Sequence, residues 1–335
     1  MLKVGIVGLG TVAIVHAKGI LESPYADLVA VCDNDPTRAK DYSDFPFYTD
    51  LTEMLAQEDL DVVHVCLPHY LHDEATMTIA RAGVHVLLEK PVSINAERSR
   101  QLLLDHQALA NGTKVAVCFQ NRLNETVQEM KRLLQAEGGE ILAVKGLVPW
   151  FRPESYYSQK PWRGKWDEAG SGTIINQAIH TLDLMHYVTG NDWSACKALV
   201  GNLLDYDIEV EDTATANFEF TDGSHGFFMG TNAYYGNDSI ELQVMTSNGR
   251  YTIKEDKLFD KDINCLAENE RVPGTKIYYG PSHRNYFDSF YRAINDNTDD
   301  YCGLESALIT MEMIDAMKLS SAENRIVNKE EFIHE

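Results

Sequence analysis

Apolar runs of strand length alternate with helix-like segments along residues 1–122. The runs are almost continuously apolar, as in parallel strands buried on both faces, and they are Leu2–Val7, Leu28–Cys32, Val62–Cys66, Val84–Leu88 and Lys114–Phe119. The helical segments between them are Val12–Leu21, Pro36–Tyr42, Leu51–Ala56, Asp73–Ala82 and Ala96–Ala110. Asn95 is expected to cap the last helix, and Gly83 to end the one before it. This alternation predicts an N-terminal α/β domain, residues 1–122, with the doubly wound parallel sheet of a Rossmann fold.

The pattern changes after residue 122, where strands come to dominate. Helices are expected at Asn124–Glu137, Thr173–Thr189, His283–Asn295 and Leu304–Ala322. Strands are expected at Ile141–Trp150, Ala195–Leu203, Thr213–Phe220, His225–Thr231, Ser239–Thr246 and Arg250–Lys254. Residues 221–224, TDGS, predict a hairpin turn. Residues 123–335 are therefore predicted to form an α+β domain with a largely antiparallel open sheet.

The first strand leads into a glycine motif that is typical of dinucleotide binding. Gly8, Gly10 and Ala13 form the pattern G-x-G-x-x-A between a strand and a helix. Gly8 allows a tight turn, Gly10 lets a pyrophosphate approach the main chain, and Ala13 lets the helix lie against the sheet. Asp33, which ends the second strand, is placed to accept hydrogen bonds from both hydroxyls of an adenosine ribose. The alternative is a glycine turn that binds no nucleotide, with Asp33 as a helix cap.

Asp33 also predicts a preference for NAD over NADP. A 2′-phosphate beside it would bring like charges within a few ångströms, at a cost on the order of several kcal/mol. Arg38 could meet such a phosphate, as arginine does in NADP sites. We expect Asp33 and Asp35 to engage Arg38 instead, and Pro36 to begin a helix that carries it outward.

Charge and cysteine content narrow the classes of partner and location. The 335 residues carry a formal net charge of −22, which disfavours nucleic acids and acidic membranes. The six cysteines include no CxxC pair, which favours a reducing cytoplasm. Leu2–Leu9 is expected to be a strand rather than a signal peptide, and no run of about 18 apolar residues predicts a transmembrane helix. His69 and His72 have no completing set of cysteines or carboxylates, so no metal site is expected.

The tripeptide Glu89-Lys90-Pro91 follows the fourth predicted strand of the sheet, Val84–Leu88. Ligands of doubly wound sheets bind beyond the carboxyl ends of the strands, so Lys90 is placed where a nicotinamide would lie. Its ammonium could hydrogen-bond a substrate hydroxyl and stabilise a developing alkoxide. The alternative is a surface ion pair between Glu89 and Lys90.

A polar stripe lies on the predicted helix Thr173–Thr189. Asn176, His180 and Asp183 are spaced by four and three residues, so they share one face of that helix. His180 has the titration range of a general acid–base at neutral pH. The alternative is a structural histidine satisfied by Asp183.

The loop Phe151–Asp167 is rich in aromatic residues and arginine. Arg163 could bind a hydroxylated ligand, and Trp162 or Tyr157 could stack on a ring face. The loop could equally be an oligomer contact.

These motifs together resemble the glucose–fructose oxidoreductase, inositol dehydrogenase and MocA (Gfo/Idh/MocA) family along nearly the whole chain. The resemblance rests on GLGTVA, on residues 68–72 (PHYLH), on residues 89–91, on residues 162–164 (WRG) and on the GSG…N…H…D segment. It implies an NAD(P)-dependent dehydrogenase that acts on a sugar or cyclitol hydroxyl. It also implies a homodimer or homotetramer that assembles through the open sheet. The later strands, which read as apolar on more than one face, favour the same assembly.

The motifs and the resemblance define the candidate site residues. The cofactor-binding candidates are Gly8, Gly10, Thr11, Val12, Ala13, Asp33, Asn34, Arg38, Leu67, Pro68, His69, His72, Glu89, Lys90, Gln120, Trp162 and Arg163. The substrate-binding candidates are Lys90, Asn121, Tyr157, Arg163, Asn176, His180 and His283. The resemblance assigns catalysis to Lys90 and His180, with Asn176 orienting the substrate.

The chain departs from the family pattern at two positions. Many members carry Asp where this chain has Asn176, and Gly where it has Ala178. An amide cannot exchange protons, so a proton relay would rest on His180 and Lys90. Two other functions stay open: a glycoside-cleaving enzyme that holds NAD⁺ tightly, and a non-catalytic NAD-binding regulator.

Overall fold

The computed structural model describes residues 1–270 and 282–332, and all structural statements refer to those residues. The strands are β1 Leu2–Val7, β2 Ala26–Cys32, β3 Phe47–Tyr48, β4 Val62–Val65, β5 His85–Leu88, β6 Val115–Val117, β7 Ile141–Pro149, β8 Trp193–Gly201, β9 Thr213–Phe220, β10 His225–Thr231, β11 Glu241–Thr246, β12 Gly249–Lys254, β13 Lys257–Phe259, β14 Cys265–Glu268 and β15 Val327–Asn328. The α-helices are α1 Ala13–Leu21, α2 Leu51–Gln57, α3 His72–Arg81, α4 Ala96–Leu109, α5 Glu125–Glu137, α6 Ser155–Ser158, α7 Trp166–Ala169, α8 Thr173–Asn176, α9 Ile179–Thr189, α10 Ser282–Asn295 and α11 Leu304–Glu323. Short 3₁₀ helices span Pro36–Tyr42, His69–Leu71, Gln120–Leu123, Pro161–Gly164 and Lys329–Phe332.

The first compact unit comprises Met1–Gln120 and Ser282–Leu308. Its six-stranded sheet has the order β3-β2-β1-β4-β5-β6, and every pairing in it is parallel. All four residues of β4 are buried, as the continuous apolar run predicted. The predicted Rossmann sheet is confirmed, and β1, β2, β4, β5 and β6 are directly followed by Gly8, Asp33, Cys66, Glu89 and Cys118.

The first unit also contains α10, which the sequence placed in the second domain. Phe287 of α10 packs against Gly19 of α1, where an added Cβ would lie 2.7 Å from the phenyl ring. Ser23 Oγ on the same side donates to Asp288 at 2.5 Å. The two units are therefore not contiguous in sequence. The division predicted at residue 122 differs from them over residues 282–308.

The second unit comprises the described residues of Asn121–Pro281 and Ile309–Glu335. Its nine-stranded sheet has the order β14-β13-β12-β11-β7-β10-β9-β8-β15. The β7–β10 pair is parallel, and the other pairs are antiparallel, which confirms the predicted character of this sheet. Gly146 of β7 lets α9 lie close, since a Cβ there would be 2.7 Å from the Met185 sulfur.

The two faces of this second sheet differ more than the sequence suggested. Along β9, Ala216 and Phe218 are buried whereas Asn217 and Glu219 are exposed, so this strand is apolar on one face only. The prediction of two apolar faces is wrong for β9. On β10 apolar residues do lie on both faces, because Phe228 is buried on one face and Phe227 is 45% exposed on the other.

Local signals were mostly reliable where the partner lies nearby in sequence. Asn95 caps α4, with its Oδ1 accepting from Arg98 N at 2.8 Å. Gly83 (φ +82°) follows α3, and Gly223 (φ +83°) lies in the predicted hairpin turn.

No helix within residues 1–270 and 282–332 has the length and hydropathy needed to cross a bilayer.

Candidate active site

The loop after β1 has the shape that a bound pyrophosphate requires. Gly8 has φ +86°, and a Cβ there would lie 2.8 Å from the main-chain carbonyl of Cys66. No atom lies within 4 Å of the position that a Cβ on Gly10 would take. Thr11 and Val12 lead from this open space into α1, whose unpaired N–H groups favour an anion, and Ala13 is buried against the sheet. These residues therefore fit a dinucleotide.

Asp33 joins this loop to the end of β2. Its Oδ2 accepts a hydrogen bond from Leu9 N at 2.7 Å, and its Oδ1 accepts from Asp35 N at 2.9 Å. The alternative of Asp33 as a helix cap is wrong, because Asp35 caps the 3₁₀ helix Pro36–Tyr42. Each carboxylate oxygen keeps a second lone pair for a ribose hydroxyl.

Arg38 lies on that 3₁₀ helix and pairs with an acidic neighbour. Its Nε is 3.7 Å from Asp35 Oδ2, so the expected partner holds it. Asn34, the other candidate in this turn, is exposed. The arrangement leaves Asp33 as the charged group at the β2 end that is tied directly to the glycine loop.

The loop after β4 carries four candidates. Leu67 and Pro68 are half-buried beside the strand ends, and His69 is buried in the 3₁₀ helix that follows. His72 is fully buried: its Nδ1 lies 2.7 Å from Pro91 O and its Nε2 lies 2.8 Å from Leu67 O. A contact of His72 with the cofactor stays a prediction. Both ring nitrogens are directed at main-chain carbonyls, so His72 holds the loops that carry the site.

Glu89 directly follows β5 and is buried. It is 7% exposed, and its Oε1 is 2.9 Å from His16 Nε2 on α1. The alternative of a surface ion pair with Lys90 is therefore wrong for Glu89. Burial alone would raise the pKa of Glu89, but the hydrogen bond from His16 and the nearby positive charges hold it below its usual value. Lys90 follows it, half-buried, at the strand end.

Histidines that sequence reasoning missed surround Glu89. His16 Nδ1 is 2.8 Å from His64 Nδ1, and His64 Nε2 is 2.8 Å from the Tyr291 hydroxyl. The available signal was a polar residue within an apolar helix face (His16) and within an apolar strand (His64). His283, a substrate-binding candidate, lies on α10 with its ring centroid 6.4 Å from that of His16. Burial lowers the pKa of His283 to about 4.

The same region contains three buried groups whose ligand atoms could surround a metal ion. They are His16, Glu89 and Cys118, which lie within 4.8 Å of one another. Both ring nitrogens of His16 already take part in hydrogen bonds, and burial raises the pKa of the Cys118 thiol well above its usual value. This chemistry suits a hydrogen-bonded core rather than a metal centre. Gln120, the last candidate of this unit, is buried just after β6.

In the second unit the predicted helix Thr173–Thr189 is interrupted. Asn176 ends α8, and His180 is the second residue of α9. Gln177 lies between the two helices; its Nε2 donates to the Tyr156 hydroxyl at 2.8 Å, and its Oε1 accepts from Asn232 Nδ2 at 2.9 Å. The expectation that Asn176 and His180 share one continuous helix face is therefore wrong. His180 is buried.

Asp183 is held by an arginine. Arg122 donates to its two oxygens, at 2.9 Å from Nε and 2.6 Å from Nη2, and Thr310 Oγ1 lies 3.1 Å away. Burial alone would raise the pKa of Asp183, but Arg122 holds it well below its usual value. The alternative paired this carboxylate with His180, but Asp183 forms a buried ion pair with a residue 61 positions away.

The aromatic loop contributes a second polar cluster. Tyr157 is buried, its hydroxyl accepts from Asn232 Nδ2 at 2.9 Å, and burial raises the pKa of that hydroxyl. Arg163 lies over the Tyr156 ring at 4.2 Å and donates to Tyr156 O at 3.2 Å, so its first partners belong to its own loop. Trp162 is half-buried beside it.

A cavity of about 370 Å³ opens within the second unit. It lies among α5, α9, β11 and β12, and Asn121, a substrate-binding candidate, lines it. Asn121 is 6% exposed, and its Oδ1 has no hydrogen-bond partner among the described residues. Its other lining residues are Asn124, Thr126, Val127, Thr181, Leu184, Asn237, Asp238, Ser239, Ile240, Leu242, Ile253, Glu255, Asp256 and Asn269.

Comparison with known proteins identifies relatives of both units. A family model described as an oxidoreductase family with an NAD-binding Rossmann fold matches residues 2–119, and the GFO/IDH/MocA C-terminal domain model matches residues 127–252. The myo-inositol 2-dehydrogenase of Thermotoga maritima is 24% identical over 355 aligned residues, which cover 99% of this chain and 100% of that protein. The D-glucoside 3-dehydrogenase of Escherichia coli is 30% identical over 202 residues, 56% of this chain and 54% of that protein.

A solved structure extends the likeness to the whole fold. The WlbA dehydrogenase of Bordetella pertussis, in complex with NADH and UDP-GlcNAcA, has a TM-score of 0.85 and 25% identity over 98% of both chains. The sheet order, the glycine loop and the two matched models agree with one another. The chain therefore belongs to the Gfo/Idh/MocA oxidoreductase family and carries that family's NAD-binding Rossmann domain.

Proposed function

We propose that this protein transfers a hydride between NAD and a hydroxyl-bearing carbon of an uncharged sugar or cyclitol. Family membership supports the redox chemistry, and relatives named for inositol and glucoside support the substrate class. The restriction to uncharged substrates is supported by the lining of the cavity in the second unit, which includes Thr181, the chain neighbour of His180, but not Lys90, Asn176 or His180 themselves.

The buried lining residues of this cavity suit a ring that bears hydroxyl groups. Asn121 and Asn269 are buried amides, which donate to and accept from hydroxyls. Leu184 and Leu242 add apolar surface, against which the C–H face of a sugar or cyclitol ring can pack. A small number of polar groups on an apolar wall is the usual composition of a small-molecule site.

The exposed lining residues of this cavity disfavour anions. Asp238 and Glu255 are exposed carboxylates, and no lining residue in the described part of the chain is arginine, lysine or histidine. A phosphate or a sugar carboxylate would find like charges there and no cation to pair with. We therefore expect discrimination against sugar phosphates, uronic acids and nucleotide-linked sugars.

Two residues are proposed to act on the reacting hydroxyl. His180 would accept its proton, since imidazole changes charge near neutral pH. Lys90 would donate a hydrogen bond to the same oxygen and stabilise its developing negative charge. Bound NAD supplies the acceptor or donor of the hydride.

The test is a substrate panel scored by NADH absorbance. It pairs glucose with glucose phosphate and with glucuronic acid, and adds myo-inositol and an alkyl glucoside. We expect turnover of at least one neutral compound. Its kcat/KM should be at least about tenfold above that of its anionic partner, because the exposed carboxylates that line the cavity would repel an anion. Equal turnover of both members of a pair would overturn the charge argument. Release of an aryl group from a glycoside without net NADH would favour the glycoside-cleaving alternative, and NAD binding without any turnover would favour the regulator.

NAD is proposed as the preferred cofactor over NADP. The support is Asp33, held beside the glycine loop, and the pairing of Arg38 with Asp35. The ratio of kcat/KM for NAD to that for NADP on one substrate is expected to exceed one, and Asp33→Ser should narrow it. A ratio at or below one contradicts the assignment.

A homodimer or homotetramer is proposed from the outer face of the second sheet. Phe227 and Leu199 are exposed there, and a shallow groove runs beside Phe227 and Met229. Light scattering at micromolar concentration should give a multiple of 37.7 kDa, and a monomer mass would contradict the proposal. A cytoplasmic location is proposed because all six cysteines are free thiols.

A further inference from the structure

A buried carboxylate in the second unit holds the start of α8. Glu211 is 1% exposed; its Oε2 accepts from Ser171 Oγ at 2.8 Å and from Gly172 N at 2.7 Å, and its Oε1 accepts from Ile174 N at 3.0 Å. Its main-chain oxygen accepts from Thr173 N at 3.1 Å. One residue therefore binds four consecutive residues at the start of this helix.

The fit between Glu211 and this segment is specific. A Cβ on Gly172 would lie 1.8 Å from the Glu211 main-chain oxygen, so only glycine allows this approach. Gly172 is the N-cap residue of α8 and has no side chain with which to cap it. Glu211, which lies two residues before β9, supplies the missing acceptors from a distant part of the chain.

The held segment in turn orients the side chain of Asn176. Asn176 Nδ2 donates to Ser171 O at 3.3 Å and to Gly172 O at 3.2 Å. An amide nitrogen has two hydrogens, and both are directed back at the segment that Glu211 holds. The amide oxygen is therefore the end of the side chain that is turned away from the segment.

We propose that Glu211 is a positioning residue that acts through this segment to present the Asn176 amide oxygen to the substrate. This inference rests on the proposed function, together with the substrate-orienting role that the family resemblance implies for Asn176. It also explains why an amide stands here. A carboxylate at this position would bring negative oxygen to about the same 3.2 and 3.3 Å from two carbonyl oxygens.

The first test is Glu211→Gln, which keeps the size of the side chain but turns one acceptor into a donor. Main-chain N–H groups occupy both sides of the carboxylate, so an NH₂ group there must face a donor. We expect kcat/KM for the substrate to fall about tenfold to a hundredfold with the Kd of NAD unchanged. Glu219→Gln, the same substitution at an exposed position of β9, is the matched control and should change neither quantity.

The decisive measurement is the coupling of Glu211 to Asn176. If Glu211 acts through Asn176, then Glu211→Gln should lower kcat/KM by less than about twofold in an Asn176→Ala background. Its effect on the thermal midpoint should persist in that background, because the hydrogen bonds on the side of the amide NH₂ group, either those from Ser171 and Gly172 or that from Ile174, are still lost. Equal fold-losses of kcat/KM in both backgrounds would show a general structural role and overturn the proposal.

Ser171→Ala is the milder variant if Glu211→Gln does not fold. It removes one of the three side-chain hydrogen bonds of Glu211 and leaves the others in place. A loss of kcat/KM of about threefold is expected, again absent in the Asn176→Ala background. A loss of the same size in both backgrounds counts against the proposal.

A measurement without substrate separates this proposal from the proposed function. In protein labelled with ¹⁵N-asparagine, the side-chain signals of Asn176 are identified by their absence in Asn176→Ala. They should shift or broaden in Glu211→Gln and stay unchanged in Glu219→Gln. If no compound is turned over but these signals respond as expected, the proposed function fails and the positioning of Asn176 stands. Unchanged signals in Glu211→Gln overturn the positioning itself.

Discussion

Each compact unit buries a carboxylate close in sequence to a candidate catalytic residue, and the two carboxylates have different hydrogen-bond partners. In the second unit Asp183, three residues after His180, accepts two hydrogen bonds from Arg122. In the first unit Glu89, directly before Lys90, accepts one from His16. The guanidinium keeps its charge at any working pH, whereas a histidine can be neutral or charged.

Glu89, His16, His64 and Tyr291 form a chain of hydrogen bonds in which each donor and acceptor can be assigned. With Glu89 ionised, His16 Nε2 is the donor, so the Nδ1 of a neutral His16 must accept. His64 Nδ1 then donates to it, and His64 Nε2 accepts from the Tyr291 hydroxyl. Every described hydrogen bond is satisfied with both histidines neutral, and burial keeps the pKa of His64 well below its usual value.

The difference indicates what each unit requires of its buried carboxylate. The Asp183–Arg122 pair carries no net charge and ties α9 to the residues just before α5. Glu89 instead accepts its hydrogen bond from a histidine, at the strand end that precedes Lys90. We therefore expect the stability of the second unit to depend on the presence of both members of the ion pair. We expect the stability of the first unit to depend on pH and on which histidine nitrogens carry protons.

Arg122→Met should have the largest effect. It leaves Asp183 buried without its counter-ion and is expected to destabilise the protein by about 3–5 kcal/mol. The double variant Arg122→Met/Asp183→Leu should recover part of that loss, because no charge is then left buried. Denaturant unfolding measures both, and a double variant as unstable as the single one would contradict the ion-pair explanation.

Lys90→Ala and His180→Ala should come next, in activity rather than stability. Each is expected to lower kcat by at least about a hundredfold while NAD still binds. Kinetics on the best substrate of the panel and NAD titration give the two quantities. Turnover close to that of the wild type in either variant removes that residue from the proposed chemistry.

His16→Leu should have a smaller effect than Arg122→Met. It removes the described donor to Glu89 Oε1 and leaves a buried acceptor, at a cost of about 1–3 kcal/mol. Glu89→Gln combined with His16→Leu should be less destabilised than His16→Leu alone, since the residual charge is gone. If the single variant costs as much as Arg122→Met, the distinction between the two carboxylates fails.

The smallest effect concerns pH. The pKa of His64 is lowered from 6.5, so on acidification the unfolded chain takes up a proton before the folded one does. The free energy of unfolding should therefore fall below about pH 6.5, by up to about 1.4 kcal/mol per pH unit from this group. Asp183, whose pKa is lowered from 3.8, should begin to contribute only below about pH 4. His64→Gln should lose less stability than the wild type between pH 7 and pH 5, and an equal loss would exclude His64 as the source.

Sequence reasoning was most successful where each pattern reports a local cause. The parallel strands of the first unit follow from continuous apolar runs, and the turn at Gly8 follows from its need for a positive φ. The cap at Asn95 needs a partner three residues away, so it was visible in the sequence.

The candidate site was predicted less completely, because several contacts depend on distant residues. The apolar periodicity runs through residues 173–189 without a break, yet the helix is interrupted beside Gln177, whose partners are Tyr156 and Asn232. The contacts of the His72 ring nitrogens with the main-chain oxygens of Leu67 and Pro91 were likewise not visible in the sequence. Strands as short as β14 and β15 were also not predicted, since two to four residues show no period.

The sequence by itself determined the fold class, the glycine loop and the residue types available for chemistry, since each of these depends on neighbours along the chain. Only the tertiary structure decided that α10 belongs with the first unit, because its apolar face does not specify a partner and the space beside Gly19 does. It likewise decided which groups hold the buried carboxylates: His16 for Glu89, Arg122 for Asp183, and the start of α8 for Glu211. A buried charge must find donors wherever the fold brings them, and the linear order of residues does not record that position.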